Sequence, residues 1–311
     1  MIISASRRTD IPTYFSDWFL NRIKEGFVLV RNPMNLHQIS KIKLTSDIVD
    51  GIVFWTKNPE HMIAQLDELK NYMYYFQFTI TPYGKDIEPN IPEKSTKILD
   101  IFKRLSSVIG KERIIWRYDP ILINDKYTFE YHINAFGKIA AQLSEYTEKV
   151  TISFIDENYR GVKSNIKYLK LNIMTTDIIL KISEALSHIA HEYHLSIDTC
   201  AEEIDLMQFG IGHARCIDDK LFEKLLGYNL HINRDKSQRL ACGCVSSIDV
   251  GMYNTCNNGC RYCYANYNSK FVENNTLKHD PLSPLLSGLV SSDDRVIDRN
   301  VKSIRDTQMS I

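Results

Sequence analysis

The stretch Cys256-Asn-Asn-Gly-Cys260-Arg-Tyr-Cys263 puts three thiols into one short loop with the spacing C-x3-C-x2-C. Such a loop can wrap an iron–sulfur cube. A cube normally takes four cysteine thiolates, so three leave one iron open to a ligand that is not protein. An open iron is where chemistry can happen. Gly259 allows a positive φ or a close backbone approach at the turn, and thiolates are the soft ligands that suit iron–sulfur clusters. Four further cysteines, Cys200, Cys216, Cys242 and Cys244, lie upstream, and none of the seven precedes Cys200. Four is the number that a second, fully ligated 4Fe-4S cluster needs. Two other uses remain open: a zinc site of Cys242, Cys244, Cys256 and Cys260, which leaves Cys263 idle, and Cys200 or Cys216 as an ordinary buried thiol.

Composition narrows the setting. Among 311 residues, 38 Lys+Arg balance 38 Asp+Glu. That neutrality excludes a chain-wide electrostatic footprint for nucleic acid or an anionic membrane surface. No apolar run approaches the roughly 20 residues of a membrane span. The start, Met1-Ile-Ile-Ser-Ala-Ser-Arg-Arg, is a short apolar run followed by charge, the reverse of a signal peptide. The expectation is a cytoplasmic protein, in which seven cysteines point to metal ligation or redox chemistry before disulfides.

The elements that must position these thiols follow from periodicity. Apolar β-rich runs predict strands at Ile2–Ser6, Phe27–Arg31, Gly51–Thr56, Tyr74–Thr81, Arg113–Tyr118, Lys149–Ile155 and Leu195–Cys200. Helical periodicity is clearest at Tyr14–Glu25, Pro59–Asn71, Glu93–Ile109, Thr128–Tyr146 and Thr175–His191. The alternation predicts an α/β fold, a TIM-like parallel β/α barrel, full or partial. Residues 1–200 are expected to form the barrel. Residues 201–311, which lose strand runs and gain Gly, Cys, Asn and Asp, are expected to form a loop-rich, cysteine-rich cap and tail packed on it, held by metal. The tail beyond Ala265 is expected to wrap the barrel and to fray at its last residues.

In such a barrel, active-site groups project from the C-terminal ends of the strands. The first predicted strand runs into Arg7-Arg8-Thr9-Asp10, the second into Arg31-Asn32-Pro33, and the third into Trp55-Thr56-Lys57-Asn58. The fourth carries Gln77, Thr79 and Thr81, the fifth Arg117-Tyr118-Asp119, the sixth Ser153 and Asp156, and the seventh Asp198 and Glu202. Polar groups on strands covered on both faces are costly unless paired, so a shared polar mouth accounts for them together. Arg8, Asp10, Lys57, Arg117 and Asp119 are the candidate catalytic residues, and the arginines suit an anionic substrate. The plainer reading is that Arg8 pairs with Asp10 and Arg117 with Asp119 as structural ion pairs. Trp55 and Trp116 read as barrel packing, and the nine scattered histidines read as structural.

The triad resembles the signature of the radical S-adenosylmethionine (SAM) superfamily, transposed from its usual N-terminal place to the C-terminal side. Ile3-Ser-Ala-Ser-Arg-Arg-Thr-Asp-Ile-Pro12, Arg31-Asn-Pro33, Phe54-Trp-Thr-Lys-Asn-Pro59, Phe76-Gln-Phe-Thr-Ile-Thr81, Ile115-Trp-Arg-Tyr-Asp-Pro120, Cys200-Ala-Glu202, Cys242-Gly-Cys244 and Cys256 with Tyr262-Cys263-Tyr-Ala265 together resemble the family catalogued as domain of unknown function eighteen forty-eight. The resemblance implies a radical SAM enzyme. The open iron of a 4Fe-4S cluster on Cys256, Cys260 and Cys263 would chelate SAM and cleave it reductively, and the resulting 5′-deoxyadenosyl radical would take hydrogen from a small-molecule or anionic substrate. Tyr262 and Gly259 would be the cofactor-side residues of the loop, Tyr262 near the adenine. The Cys-Gly-Cys element supports an auxiliary 4Fe-4S cluster with Cys200 and Cys216, and a flavodoxin- or ferredoxin-type protein would donate electrons. No Gly-Gly-Glu-type motif follows the triad. The rival classes are a non-enzymatic barrel stapled by zinc or one cluster that binds a ligand or partner, and a nucleic-acid repair lyase, which the neutral charge disfavours.

Overall fold

In the computed structural model, which describes residues 1–306, the seven β-rich runs become strands β1 (Ile2–Ala5), β2 (Phe27–Asn32), β4 (Gly51–Thr56), β5 (Tyr74–Thr79), β6 (Ile114–Ile121), β7 (Lys149–Phe154) and β8 (Ser196–Thr199), and β3 (Asn35–Lys43) forms where no strand is expected. Three more follow: β9 (Gly212–His213), β10 (Ile248–Asp249) and β11 (Arg295–Asp298). Eight of these form one parallel sheet in the order β10-β1-β4-β5-β6-β7-β8-β9. Strands added in chain order along one direction are the winding of a β/α barrel. Among the described residues no pairing joins β9 to β10, so the barrel is partial.

Two expectations change. Phe27–Arg31 forms a strand but lies outside the barrel: β2 pairs antiparallel with β3, which pairs with β11 in a separate three-stranded sheet. Arg31 therefore points away from the mouth and forks onto Asp294. The barrel also does not end at residue 200, because β9 and β10 supply both edges of its sheet. A two-residue strand has too few positions to show alternation.

Strand alternation explains the two faces of the sheet. Ile3, Ile52, Phe54, Phe76, Phe78, Ile114, Trp116 and Ile152 are buried with the helix residues Trp18, Phe19, Phe102, Phe136 and Leu186. The alternate positions Ile2, Val53, Tyr75 and Ile115 form a second core with Phe222 of the helix Asp219–Leu226. The Phe222 ring packs on Tyr75 at 4.9 Å and lies so close to Gly51 that a Cβ there would collide with it. Further along the same face the side chains become polar, with Lys57, Thr79, Arg117, Asp119 and Ser153 at the C-terminal strand ends. The inner face is thus closed by apolar groups at one end and open to chemistry at the other.

The chain beyond Ala265 wraps the barrel. Trp18 Nε1 donates to the Ser283 carbonyl at 2.9 Å, Arg22 Nη2 to Leu282 at 3.0 Å, and the Ile304 amide to Asp50 at 2.8 Å. The expected fraying concerns residues 307–311, outside those described. Among the described residues no helix is long and apolar enough to cross a membrane.

Candidate metal centre

A cavity of 630 Å³ opens at the C-terminal ends of the strands, and all seven cysteines line it. They form two groups. Cys256, Cys260 and Cys263 come from one loop, whose turn is built by Gly259 at φ +68° and closed by the Cys263 amide donating to the Cys260 carbonyl at 3.2 Å. The loop is clamped to the barrel. The Arg261 amide donates to Ile87 O at 2.9 Å and Asn90 Nδ2 to Asn257 O at 2.6 Å. Gly161, at the start of the helix Arg160–Leu169, lies so near that a Cβ would strike the Cys263 carbonyl oxygen.

Cys200, Cys216, Cys244 and Cys242 form the second group, linked as a chain of thiols in that order. The Cys200 and Cys216 sulfurs are 3.2 Å apart. The Ile217 amide donates to Cys244 Sγ at 3.4 Å, and Tyr75 OH and Gln77 Nε2 hold the Cys216 carbonyl at 2.7 and 3.0 Å. The zinc set read from sequence is not assembled, since Cys242 and Cys244 stand with Cys216, while Cys256 and Cys260 stand with Cys263. Among the described residues no three His, Cys, Asp or Glu groups converge on one point as ligands of a single ion. Ligands of a cube sit on different irons and stand farther apart than neighbouring thiols do, so a cube would part Cys200 from Cys216.

Burial pushes the triad thiols up, Cys260 to about 12 and Cys256 well above the ordinary thiol range. Cys242 is the exception, drawn down to about 7 by the Cys244 hydrogen bond. Metal ligation needs thiolates, and a buried thiolate needs positive charge. Each group has a buried cation beside it: Lys57 favours the Cys260 and Cys263 thiolates, and Arg117 Nη1 donates to Cys216 Sγ at 2.9 Å. Sulfur-only donors with a fixed cation at each group fit iron–sulfur ligation.

Lys57 is held by Glu88. Its Nζ donates to Glu88 Oε1 at 2.8 Å, and Lys94 Nζ, Thr81 Oγ1 and Tyr262 OH donate to the same carboxylate. Burial would raise Glu88, but the two lysines outweigh it and hold it down at about 2. Asp10 behaves oppositely. Burial raises it, although the amides of Thr13 (3.1 Å) and Lys57 (2.8 Å) and Asn258 Nδ2 (3.1 Å) donate to it. Asp119 is opposed by burial but lowered by Arg117, which forks onto it, and by Ser153.

The chain belongs to the family described as Domain of unknown function (DUF1848). The match runs over residues 2–265 and so takes in every strand of the barrel and all seven cysteines of this DUF1848 chain. No curated protein matches it. Among solved structures it is similar to a protein assigned as an alpha-L-fucosidase from Bacteroides thetaiotaomicron VPI-5482, with 10% identity, TM-score 0.27, and 72% of this chain and 84% of that one covered. The Xanthomonas citri FimX EAL domain in complex with c-diGMP gives 11%, 0.22, 65% and 89%, and the PaMucR phosphodiesterase in complex with c-di-GMP gives 11%, 0.20, 64% and 92%. Likenesses of this size carry no argument about fold or function.

Most of the residues read from the DUF1848 sequence meet at the cavity, though with altered partners. Arg8 does not pair with Asp10; its Nε stands 3.9 Å from Asp249 Oδ1. Arg117 does pair with Asp119. Gly259 does not line the cavity and faces Pro89 and Asn90, so it serves the turn. Tyr262 lines the cavity with its hydroxyl tied to Glu88 and with Lys57 Nζ 5.4 Å from its ring centroid. Asp198 lies apart from the mouth, bonded to Thr151 Oγ1 at 2.6 Å and paired with Lys149. Glu202 caps the Phe154 amide at 2.8 Å beside a second cavity. Trp116 packs on Phe136, as expected of barrel packing, whereas Trp55 faces the cavity. His132 is structural, bonded to Tyr118 OH and Leu122 O at 2.8 Å each and held down at about 4 by burial.

Sequence reasoning missed Glu88 and Asp249, and it names Arg7 only as part of a polar strand end. Glu88 sits in a loop without a motif. Asp249 accepts from Ser4, Ser6 and the Arg7 amide, more than 240 residues away in the chain. Arg7 stands next to the candidate Arg8, and its place over Trp55, far along the chain, is visible only in the fold.

Proposed function

We propose that this protein is a radical SAM enzyme, acting on a substrate held in the barrel mouth. The reading is carried by one observation: three thiols from one loop and four from separate segments line a single cavity at the C-terminal strand ends. When bound, a 4Fe-4S cluster with an open iron would pass on the donor's electron for reductive cleavage of SAM and so supply hydrogen-abstraction chemistry at the mouth. Cys256, Cys260 and Cys263 would hold that cluster, and Cys200, Cys216, Cys242 and Cys244 an auxiliary one. Lys57, fixed by Glu88, offsets thiolate charge at the triad, and Arg117 does so at the second group. A flavodoxin- or ferredoxin-type donor belongs to the same reading.

Anaerobic reconstitution tests it. With both groups filled, about eight irons per chain are expected, falling to about four in Cys256→Ala and in Cys216→Ala. With dithionite and SAM, 5′-deoxyadenosine should form in wild type and in Cys216→Ala but not in Cys256→Ala. Fewer than about four irons in wild type together with no 5′-deoxyadenosine would sink the reading.

A further inference from the structure

Five cationic side chains line the cavity: Arg7, Arg8, Lys57, Arg117 and Arg239. Three are engaged. Arg117 donates to Asp119, Gln77 and Cys216, Lys57 to Glu88, and Arg239 Nη1 to Asp156 at 3.2 Å. The guanidiniums of Arg7 and Arg8 make no hydrogen bond among the described residues. Their nearest carboxylates, Asp235 and Asp249, each stand off at 3.9 Å.

Asp249 cannot satisfy them. Its oxygens already accept from Ser4 Oγ (2.8 Å), Ser6 Oγ (2.6 Å), the Arg7 amide (2.9 Å) and the Gly251 amide (3.0 Å). That fills the roughly four lone-pair sites of a carboxylate. Asp235 takes the Ser237 amide and Ser237 Oγ on Oδ1 and Gln238 Nε2 on Oδ2 at 3.4 Å, and its Oδ2 stays 3.9 Å from Arg7 Nη2, beyond hydrogen-bond reach.

Both cations are nevertheless held in place. Arg7 lies over Trp55 with its Cζ 5.8 Å from the ring centroid, and Arg8 over Tyr253 at 5.0 Å. Tyr264 OH grips the Arg7 carbonyl at 2.6 Å and Ser6 Oγ the Arg8 amide at 2.9 Å. The side chains keep only 20% and 25% exposure. Rigid, largely buried guanidiniums with open donor forks match a carboxylate or phosphate, which accepts bidentate hydrogen bonds.

We propose that Arg7 and Arg8 anchor a carboxylate or phosphate group carried by the substrate. SAM also carries a carboxylate, but placement favours the substrate. Arg7 lies within electrostatic reach of Cys244 and Cys216, and of Tyr264, the residue after Cys263. The thiols it faces are thus those of the four-cysteine group, whereas the cation beside the triad is Lys57. That the anchored molecule is the one attacked rests on the radical SAM reading; the anion anchor stands on the protein's own groups.

The test is calorimetric titration of inorganic phosphate into the anaerobically reconstituted full chain, with and without SAM. The proteins compared are wild type, Arg7→Gln, Arg8→Gln, Arg7→Lys, Arg8→Lys, and the charge control Arg104→Gln, whose exposed side chain lies near Glu60. Each Gln substitution is expected to weaken phosphate roughly ten- to a hundred-fold, the scale of hydrogen bonds to a charged group. The Lys variants, which keep the charge and guard against misfolding of the Gln forms, are expected to lose less. Arg104→Gln should bind as wild type, and SAM affinity should hold throughout. Three results overturn the proposal: no phosphate binding, equal phosphate binding in wild type and Gln variants, or SAM displacing phosphate and binding more weakly to the variants, as expected if the pair serves SAM. Should iron and SAM binding fail while phosphate binding still depends on both arginines, the radical SAM reading falls and the anchor stands.

Discussion

Substituting Glu88 by Gln would leave two ammoniums, Lys57 and Lys94, facing a neutral amide in a buried pocket. The carboxylate now takes donors from both lysines, Thr81 and Tyr262. Its acidity is held at about 2 against an ordinary 4.5. At about 1.4 kcal/mol per unit, that gap corresponds to roughly 3 kcal/mol of folding stability near pH 7. The figure agrees with the loss of about 3–5 kcal/mol expected when one partner of a buried ion pair is removed. The sign follows from the lowered value: the contribution is whole above about pH 4.5 and is lost as pH falls toward about 2. By pH 3.5 about two-fifths of the difference between wild type and Glu88→Gln should be gone. One carboxylate cannot neutralise two ammoniums, which is why Lys57 is raised while Lys94, desolvated and repelled by Lys57, is lowered. Adding Lys94→Met to Glu88→Gln removes the surplus cation and should restore part of the loss. The assay is urea unfolding under reducing, anaerobic conditions at pH 7 and pH 3.5. A Glu88→Gln effect below about 1 kcal/mol at pH 7, or one that does not shrink on acidification, would refute the account of this pocket.

Gly161→Ala should force the triad loop off the helix Arg160–Leu169, because the new methyl would meet the Cys263 carbonyl oxygen. A loss of about 1–3 kcal/mol in urea unfolding is expected, with iron reduced at the triad while the four-cysteine group keeps its share. Asp249→Asn turns an acceptor of four donors into a group that must aim its own N–H at some of them. Unfolding by urea at pH 7 should show a cost of about 1–3 kcal/mol, and an unchanged midpoint would mean that Asp249 does not organise the Ser4–Arg7 segment.

How far the fold was legible depended on element length. The six strands that form the middle of the sheet were read within a few residues, because four to eight apolar, β-branched or aromatic positions carry a recognisable pattern. Phe27–Arg31 reads correctly as a strand but belongs to another sheet than expected, since alternation describes a strand and not its partner. The edge strands β9 and β10 have two residues each and left no pattern at all. Their place is set by neighbours: Ile248 and Asp249 lie in register with Ile3 and Ser4, a pairing that no local window contains.

The candidate site divides in the same way. Cysteine spacing is local, so the triad loop could be recognised, and counting the remaining thiols suggested a group of four that the fold does gather into one cavity. Charge pairing is not local. Lys57 and Arg117 were singled out at their strand ends, but nothing nearby showed that Lys57 answers to Glu88, 31 residues on, or that Arg117 reaches Cys216, 99 residues on. These pairings give the thiols their setting. Seven sulfurs buried among apolar walls would remain neutral, whereas a fixed cation at each group favours the thiolates that ligation requires. Arg7 and Arg8 differ from both in having no protein acceptor within hydrogen-bond reach of their guanidiniums among the described residues, and at a polar mouth that leaves their forks for an anion brought from outside.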